Sequence, residues 1–277
     1  MKNFSRQQIL KRLASETSAG RPILAAGTSC GLIAKCAELG GADLLIVYST
    51  GKSRLMGLPT SRIGDSNAAT LEMASEIRNV VSDTPLIGGI EAWDPTRMDI
   101  EHLLDDFQEA GFSGIINYPT ISTMGERWRK RRGKVGLGWE REVELIERAA
   151  ARDIFSMAYV ASVQDAIDVS NKGVDCIVPH VGATSGGLVG HETKTKIDEE
   201  IFNISEMINS VKVKKDAPIF LCHGGKISSP ADTEKVYEKT KCVGFVGASS
   251  IERIPVELAV KKIAEEFKAI PFPKKKN

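Results

Sequence analysis

Of the four histidines in the chain, His180 and His223 have the same setting. Each closes a short apolar run and precedes small residues, in CIVPHVGATSGG and PIFLCHGG. An imidazole titrates near neutrality, so a histidine held at such a turn is suited to move a proton as general acid or base. The bland alternative is a ring that only ties a neighbouring loop carbonyl. Two carboxylates, Glu91 and Asp94, lie close together in GGIEAWDP. Such a pair can hold a divalent cation or act as base. Asp94 precedes Pro95 and is assigned the job of a helix N-cap with proline at the first helical position. That leaves Glu91 for ligand contact or catalysis. His102 and His191 fall in helical or loop contexts and are set aside.

Small residues cluster after the same apolar runs: Gly182, Thr184, Ser185, Gly186 and Gly187 after one, Gly224 and Gly225 after the next, Gly247, Ser249 and Ser250 after the last. Glycine lets a ligand approach the backbone, and the first N–H groups of a following helix have no internal partner, so each turn can face an anion. The alternative is a pair of tight turns that use glycine for geometry alone. No Gly-Lys-Ser/Thr follows GATSGG, so nucleotide hydrolysis has no support. Arg54 could clamp a carboxylate or phosphate with its fork of donors, or be a surface arginine of a long loop. Tyr48, Ser49, Asn117, Thr120 and Tyr159 offer hydrogen bonds at the ends of apolar runs, or merely close the top of a barrel. Cys30 reads more readily as a small buried hydrophobe than as a nucleophile. Arg253 either reaches the anion turns or joins Glu252 in a structural ion pair.

These residues need a frame that brings the ends of separate runs together. Candidate strands are Ile23–Ala26, Leu44–Tyr48, Leu86–Ile90, Gly114–Asn117, Ile154–Tyr159, Cys176–Val178, Ile219–Cys222 and Val243–Val246. Helical patterns alternate with them: Leu32–Leu39, Ala68–Val81, Ile100–Ala110, Trp139–Arg152, Val163–Asn171, Asp198–Val211, Ala231–Lys239 and Pro255–Lys268. Eight strand–helix units imply a parallel sheet with right-handed crossovers and favour a closed (β/α)8 TIM barrel, whose chemistry sits at the strand C-terminal ends. Residues 1–20 read as a leading helix plugging the bottom, 21–269 as the barrel and 270–277 as a basic tail, all one domain. Glycines in Leu39-Gly-Gly-Ala-Asp and Asn171-Lys-Gly-Val-Asp end helices just before strands, so Asp43 and Asp175 belong to the stability face. Two longer connections, Ser49–Asn67 and Pro119–Gly138, are expected to close over a ligand or to pack against a neighbouring subunit.

The chain has 277 residues, 37 basic against 36 acidic, which gives no global drive toward nucleic acid or membrane. No apolar run approaches a bilayer-spanning length, and the N-terminal stretch is not a signal peptide. The cysteines are odd in number and lack CxxC spacing, as expected of reduced thiols in a cytoplasmic protein. A homo-oligomer is expected. The basic run Arg127–Lys134 is a local exception to the balanced charge.

Seven stretches occur in an order that forms a recognisable pattern: GGADLLIVY from Gly40, GDSN from Gly64, GFSG from Gly111, NYPT from Asn117, HVGATSGG from His180, CHGG from Cys222 and GFVGASSIER from Gly244. Together they resemble the phosphoenolpyruvate hydrolase-like TIM-barrel family, which is similar to the barrel half of a plant virus-resistance protein family. The resemblance implies a shape relation to phosphoenolpyruvate mutase and isocitrate lyase enzymes and a small anionic oxyacid as ligand. The chain departs from that pattern at Glu91, at Met124-Gly125 and at Lys130-Arg131-Arg132. The acidic strand-end cluster that holds Mg²⁺ in the mutase relatives has no counterpart here, so that metal site is not carried over, and a divalent metal (Mg²⁺) stays open with no ligands assigned. The expectation is a hydrolase or lyase that cleaves a C–C, C–O or C–P bond next to a carboxylate. His180 or His223 would move protons with Glu91 assisting, and the anion would sit on backbone N–H groups near Gly224, Gly225, Gly247 and Ser249. The alternative is a barrel that binds a metabolite or protein partner without chemistry.

Overall fold

The computed structural model describes residues 3–212 and 217–272 of the chain; the lysines of the basic tail lie outside them. The leading helix α1 (Arg6–Ser18) starts at a capping box, in which the Ser5 hydroxyl accepts from the Gln8 N–H and the Gln8 side chain accepts from the Ser5 N–H. Its apolar face, Phe4, Ile9 and Leu13, is buried among the inward residues of the strands, and so it plugs the bottom of the barrel.

The strands are β1 (Ile23–Gly27), β2 (Leu44–Val47), β3 (Leu86–Gly89), β4 (Gly114–Ile116), β5 (Phe155–Val160), β6 (Cys176–Pro179), β7 (Ile219–Phe220) and β8 (Gly244–Gly247). All pair in parallel in the order β7-β6-β5-β4-β3-β2-β1-β8. The ring closes between β7 and β8, where Cys222 N donates to Gly244 O at 3.0 Å and Val246 N to Cys222 O at 2.9 Å. This is the (β/α)8 barrel the alternation predicts. Side chains alternate as the pleat requires. Leu44, Ile46, Ile87, Phe155 and Met157 point inward, whereas Leu45, Val47, Leu86, Ala158 and Val160 point to the helices. Each fully buried side chain of this kind contributes about 1.5–3 kcal/mol. Tyr48, just past β2, and Tyr159, the last inward residue of β5, top the inward layers, so the upper layer of the core carries hydroxyls.

The surrounding helices are α2 (Gly31–Leu39), α3 (Thr50–Leu55), α4 (Ser66–Arg78), α5 (Ile100–Glu109), α6 (Glu126–Gly133), α7 (Trp139–Ala151), α8 (Val163–Ser170), α9 (Ile197–Ser210), α10 (Pro230–Lys239), α11 (Ser249–Glu252) and α12 (Ile254–Ala269). Asp43 accepts from Leu24 N, and Asp175 accepts from Ser156 N and pairs with Arg6, so both serve the stability face.

The final helix α12 matches the expected Pro255–Lys268, with the short α11 preceding it. Two expectations are revised. Each long connection folds a short helix of its own, α3 and α6. Asp94 caps no helix: it accepts from Thr96 N at 2.8 Å in a local turn, and α5 is capped by Asp99. None of the residues of α12 is buried. Val256, Leu258, Val260, Ile263 and Phe267 on it are exposed, as are Leu32 and Leu39 on α2 and Val243 at the foot of β8. Among the described residues no helix is long and apolar enough to cross a membrane, and the five cysteines are free thiols.

Candidate active site

At the C-terminal ends of the strands a cavity of about 320 Å³ opens between the loops that follow β2, β4, β6, β7 and β8. Its walls include Tyr48 and Arg54, Thr60, Tyr118 and Thr123, His180 and Thr184, His223, and Ser249. The two histidines meet there: their ring centroids are 4.8 Å apart, and Tyr159 lies 5.2 Å from the His180 ring and 4.9 Å from the His223 ring. Main-chain pairing sets the pairing of the rings, because His180 and His223 form a parallel bridge just beyond β6 and β7.

The backbone fixes opposite tautomers on the two rings. His223 Nδ1 lies 2.7 Å from Val246 O, a carbonyl that can only accept, so Nδ1 carries the hydrogen and Nε2 is bare. His180 Nδ1 accepts from Gly182 N at 3.2 Å, so its hydrogen sits on Nε2. Burial pushes the His223 pKa down to about 4. Burial, and then the neighbouring His223, hold His180 well below the ordinary imidazole range. Both rings are therefore neutral at pH 7, one offering a lone pair and the other an N–H.

Tyr48, Tyr118 and Tyr159 form a chain of rings with centroids 4.7 and 5.3 Å apart, and burial raises all three phenol pKa values. The Tyr159 hydroxyl is buried without a hydrogen bond of good geometry. Arg54 lies over the Tyr48 ring at 5.4 Å and makes a buried ion pair with Glu252 through Nε and Nη2. Burial works against the Arg54 charge, but Glu252 outweighs it and holds the guanidinium above its ordinary value. Nη1 donates to Thr50 Oγ1 at 3.3 Å and Thr60 Oγ1 at 3.2 Å, and Thr60 Oγ1 is 3.4 Å from Ser249 Oγ.

Of the residues singled out in the sequence, Tyr48, Arg54, His180, Gly182, Thr184, His223 and Ser249 converge on this cavity, with Tyr159 packed on the histidine rings. The others are placed elsewhere. Glu91 is buried, and both its oxygens accept from Arg62 at 2.8 Å. Asn117 and Thr120 turn to the buried Glu142, whose oxygen Oε2 accepts from each at 2.6 Å, and Asn117 also ties β4 to β5 through Tyr159 N and O. Burial pushes the Glu142 carboxyl up to about 8 against the pull of those donors.

The glycine turns chiefly tie loops together. Gly225 N donates to Gly182 O and Ser185 N to Gly225 O, so two of the N–H groups are consumed internally. Gly225 faces Glu200, and Gly186 and Gly187 pack against Arg253. Arg253 pairs with Glu257, the structural alternative. Gly247 packs against Ile251, Ser49 is fully buried, and Ser250 is half-buried. Cys30 is the N-cap residue of α2.

Sequence reasoning passed over Thr60, Thr123 and His191, which also line the cavity. Thr60 carries no pattern of its own. His191 is an exposed loop residue, and its setting gave no sign of the bridge that pairs it with Ser185.

The model of the phosphoenolpyruvate hydrolase-like family matches residues 8–270. ToMV resistance protein Tm-1(GCR237) of Solanum lycopersicum is 35% identical over 274 residues, covering 96% of this chain and 36% of that protein. The putative transcriptional regulatory protein y4pA of Sinorhizobium fredii (strain NBRC 101917 / NGR234) is 31% identical over 259 residues, covering 91% of this chain and 42% of that protein. The chain thus spans well under half the length of these curated relatives. Among solved structures, phosphonopyruvate hydrolase in complex with oxalate and Mg²⁺ superposes with a TM-score of 0.63 at 20% identity, covering 98% of this chain and 93% of the other. Oxaloacetate acetylhydrolase in complex with the product oxalate also gives 0.63, at 15% identity and 99% and 91% coverage. At these identities the likeness is one of fold.

Proposed function

Because the chain belongs to the phosphoenolpyruvate hydrolase-like family, we propose that it is a hydrolase or lyase acting on a small oxyacid, cleaving a C–C, C–O or C–P bond next to a carboxylate. The neighbours named for phosphonopyruvate and oxaloacetate chemistry support the substrate class. The observation that carries the mechanism is the pair of complementary imidazoles. Cleavage beside a carboxylate places charge on an enolate-like oxygen. Donors aimed at that oxygen in a site shielded from water lower the barrier. His180 Nε2–H supplies such a donor, while His223 Nε2 accepts the proton that the reaction releases. Val246 O and Gly182 N–H keep each ring in the tautomer its task needs.

The test is His223→Ala assayed by product analysis over a panel of 2-oxo acids and their enol phosphates. Turnover is expected to fall by roughly 10²–10⁴-fold, the usual worth of a positioned base, with circular dichroism unchanged. Wild-type turnover in the folded variant ends the proposal. Ligand-induced stabilisation with no product across the panel favours a binding protein instead.

A further inference from the structure

The charges at the mouth decide what the cavity can hold. The carboxylates around it are each matched inside the protein: Glu91 by Arg62, Asp94 by Asn67 and Arg97, Asp165 by Arg129, Glu142 by Asn117 and Thr120, and Glu252 by Arg54. None of them lines the cavity. One oxygen, Glu252 Oε2, is unpartnered, but it lies beside Gly51 rather than in the cavity wall. Of the two buried imidazoles, His180 presents N–H and only His223 presents a lone pair. Mg²⁺ requires oxygen ligands in near-octahedral order, commonly with one or two carboxylates. Among the described residues no group of three or more His, Cys, Asp or Glu could hold a metal ion, so the donor set does not fit the Mg²⁺ that the phosphonopyruvate hydrolase structure contains.

Resting on the oxyacid reading and narrowing it, we infer that the mouth takes a singly charged oxyacid and binds it with no divalent cation, the positive end of the site being Arg54. The guanidinium lines the cavity, whereas its counter-ion Glu252 stands behind it, so the pair presents its positive end to a ligand. Nη1, Thr60 and Ser249 carry that polarity into the cavity. The buried groups there are two neutral imidazoles and protonated phenols, and the exposed His191 also lines it. One carboxylate finds a matched set of donors; a second negative charge would be desolvated without a partner.

The experiment titrates Mn²⁺ by electron paramagnetic resonance and measures calorimetrically the binding of pyruvate (one charge) and oxalate (two), each in Mg²⁺ and in EDTA. Mn²⁺ is expected to stay free. Pyruvate should bind equally in both buffers, and oxalate about tenfold more weakly. One tightly bound Mn²⁺ per chain, or oxalate tightened about tenfold or more by Mg²⁺, overturns the inference. If neither acid binds and Mn²⁺ stays free, the oxyacid reading and the charge selectivity fall together, while the cation-free mouth stands. The paired variant Arg54→Met with Glu252→Gln removes both buried charges at once. It should keep its circular dichroism and lose pyruvate affinity about tenfold or more. Unchanged affinity removes Arg54 from the site.

Discussion

The neutral His223 ring makes stability depend on acidity. Its pKa falls from the ordinary 6.5 to about 4, chiefly by burial, so in the folded state it binds a proton only below about pH 4. The unfolded chain takes up that proton already near pH 6.5. Between these limits the unfolded state holds more protons than the folded one. The stability contributed by the neutral ring is present above the unfolded value and is lost as pH falls toward the folded one. The interval at 1.36 kcal/mol per pH unit gives about 3 kcal/mol, a large share of the roughly 5–15 kcal/mol that holds a domain together. The assay is urea unfolding of wild type and of His223→Asn between pH 4 and 7. The asparagine amide can take the place of Nδ1–H on the Val246 carbonyl but cannot titrate. His180 remains in both proteins, so the wild-type minus variant difference reports the His223 ring together with its effect on His180. That difference should grow by about 3 kcal/mol from the acid to the neutral end. A difference that stays flat across the window would refute the argument that the ring is buried and uncharged.

Three other outcomes are expected. Glu142→Ala should destabilise the fold by about 3 kcal/mol by orphaning donors on Asn117, Thr120 and Ile121, measured by thermal or urea unfolding. Gly224→Ala should cost at least about 1–3 kcal/mol, because φ is +93° and the new methyl would lie 2.1 Å from Gly182 O; an unaltered midpoint would contradict the turn geometry. A second copy of the chain is proposed to cover α12, because a barrel's last helix ordinarily covers the crease between β8 and β1, yet here α12 buries nothing while Leu32, Leu39 and Val243 beside that crease stay exposed. Light scattering should give an oligomeric mass for wild type and a monomeric mass for Ile263→Asp with Phe267→Asp; a monomeric wild type would end that idea.

Much of the frame was legible because burial on two faces writes short apolar runs; those of β1, β3 and β8 end in glycine, and those of β6 and β7 lead into His180 and His223. His180 and His223 could be paired in advance because they occupy the same place in adjacent units. The helix α6 was not legible: ERWRKRRG buries no residue, so no apolar period marks it. The partners of Arg54 and Glu91 were hidden for another reason. Glu252 is 198 residues from Arg54, and Arg62 reaches Glu91 from a loop without a regular pattern. Asn117 and Thr120 stand at the strand end as foreseen, but Glu142 on a neighbouring helix claims them. The tautomers depend on one carbonyl and one amide hydrogen, which no pattern of residue types encodes.

The bond from His223 Nδ1 to Val246 O spans β7 and β8, the place where the ring is zipped shut by a strand of only two residues. The proton acceptor is thus fastened to the shortest segment of the wall. Local fraying at that seam frees the imidazole to turn and forget its tautomer while the other strand pairs remain intact. Mild denaturant should silence the site, and let the amides of Cys222 and Val246 exchange with solvent, before the bulk of the barrel loosens.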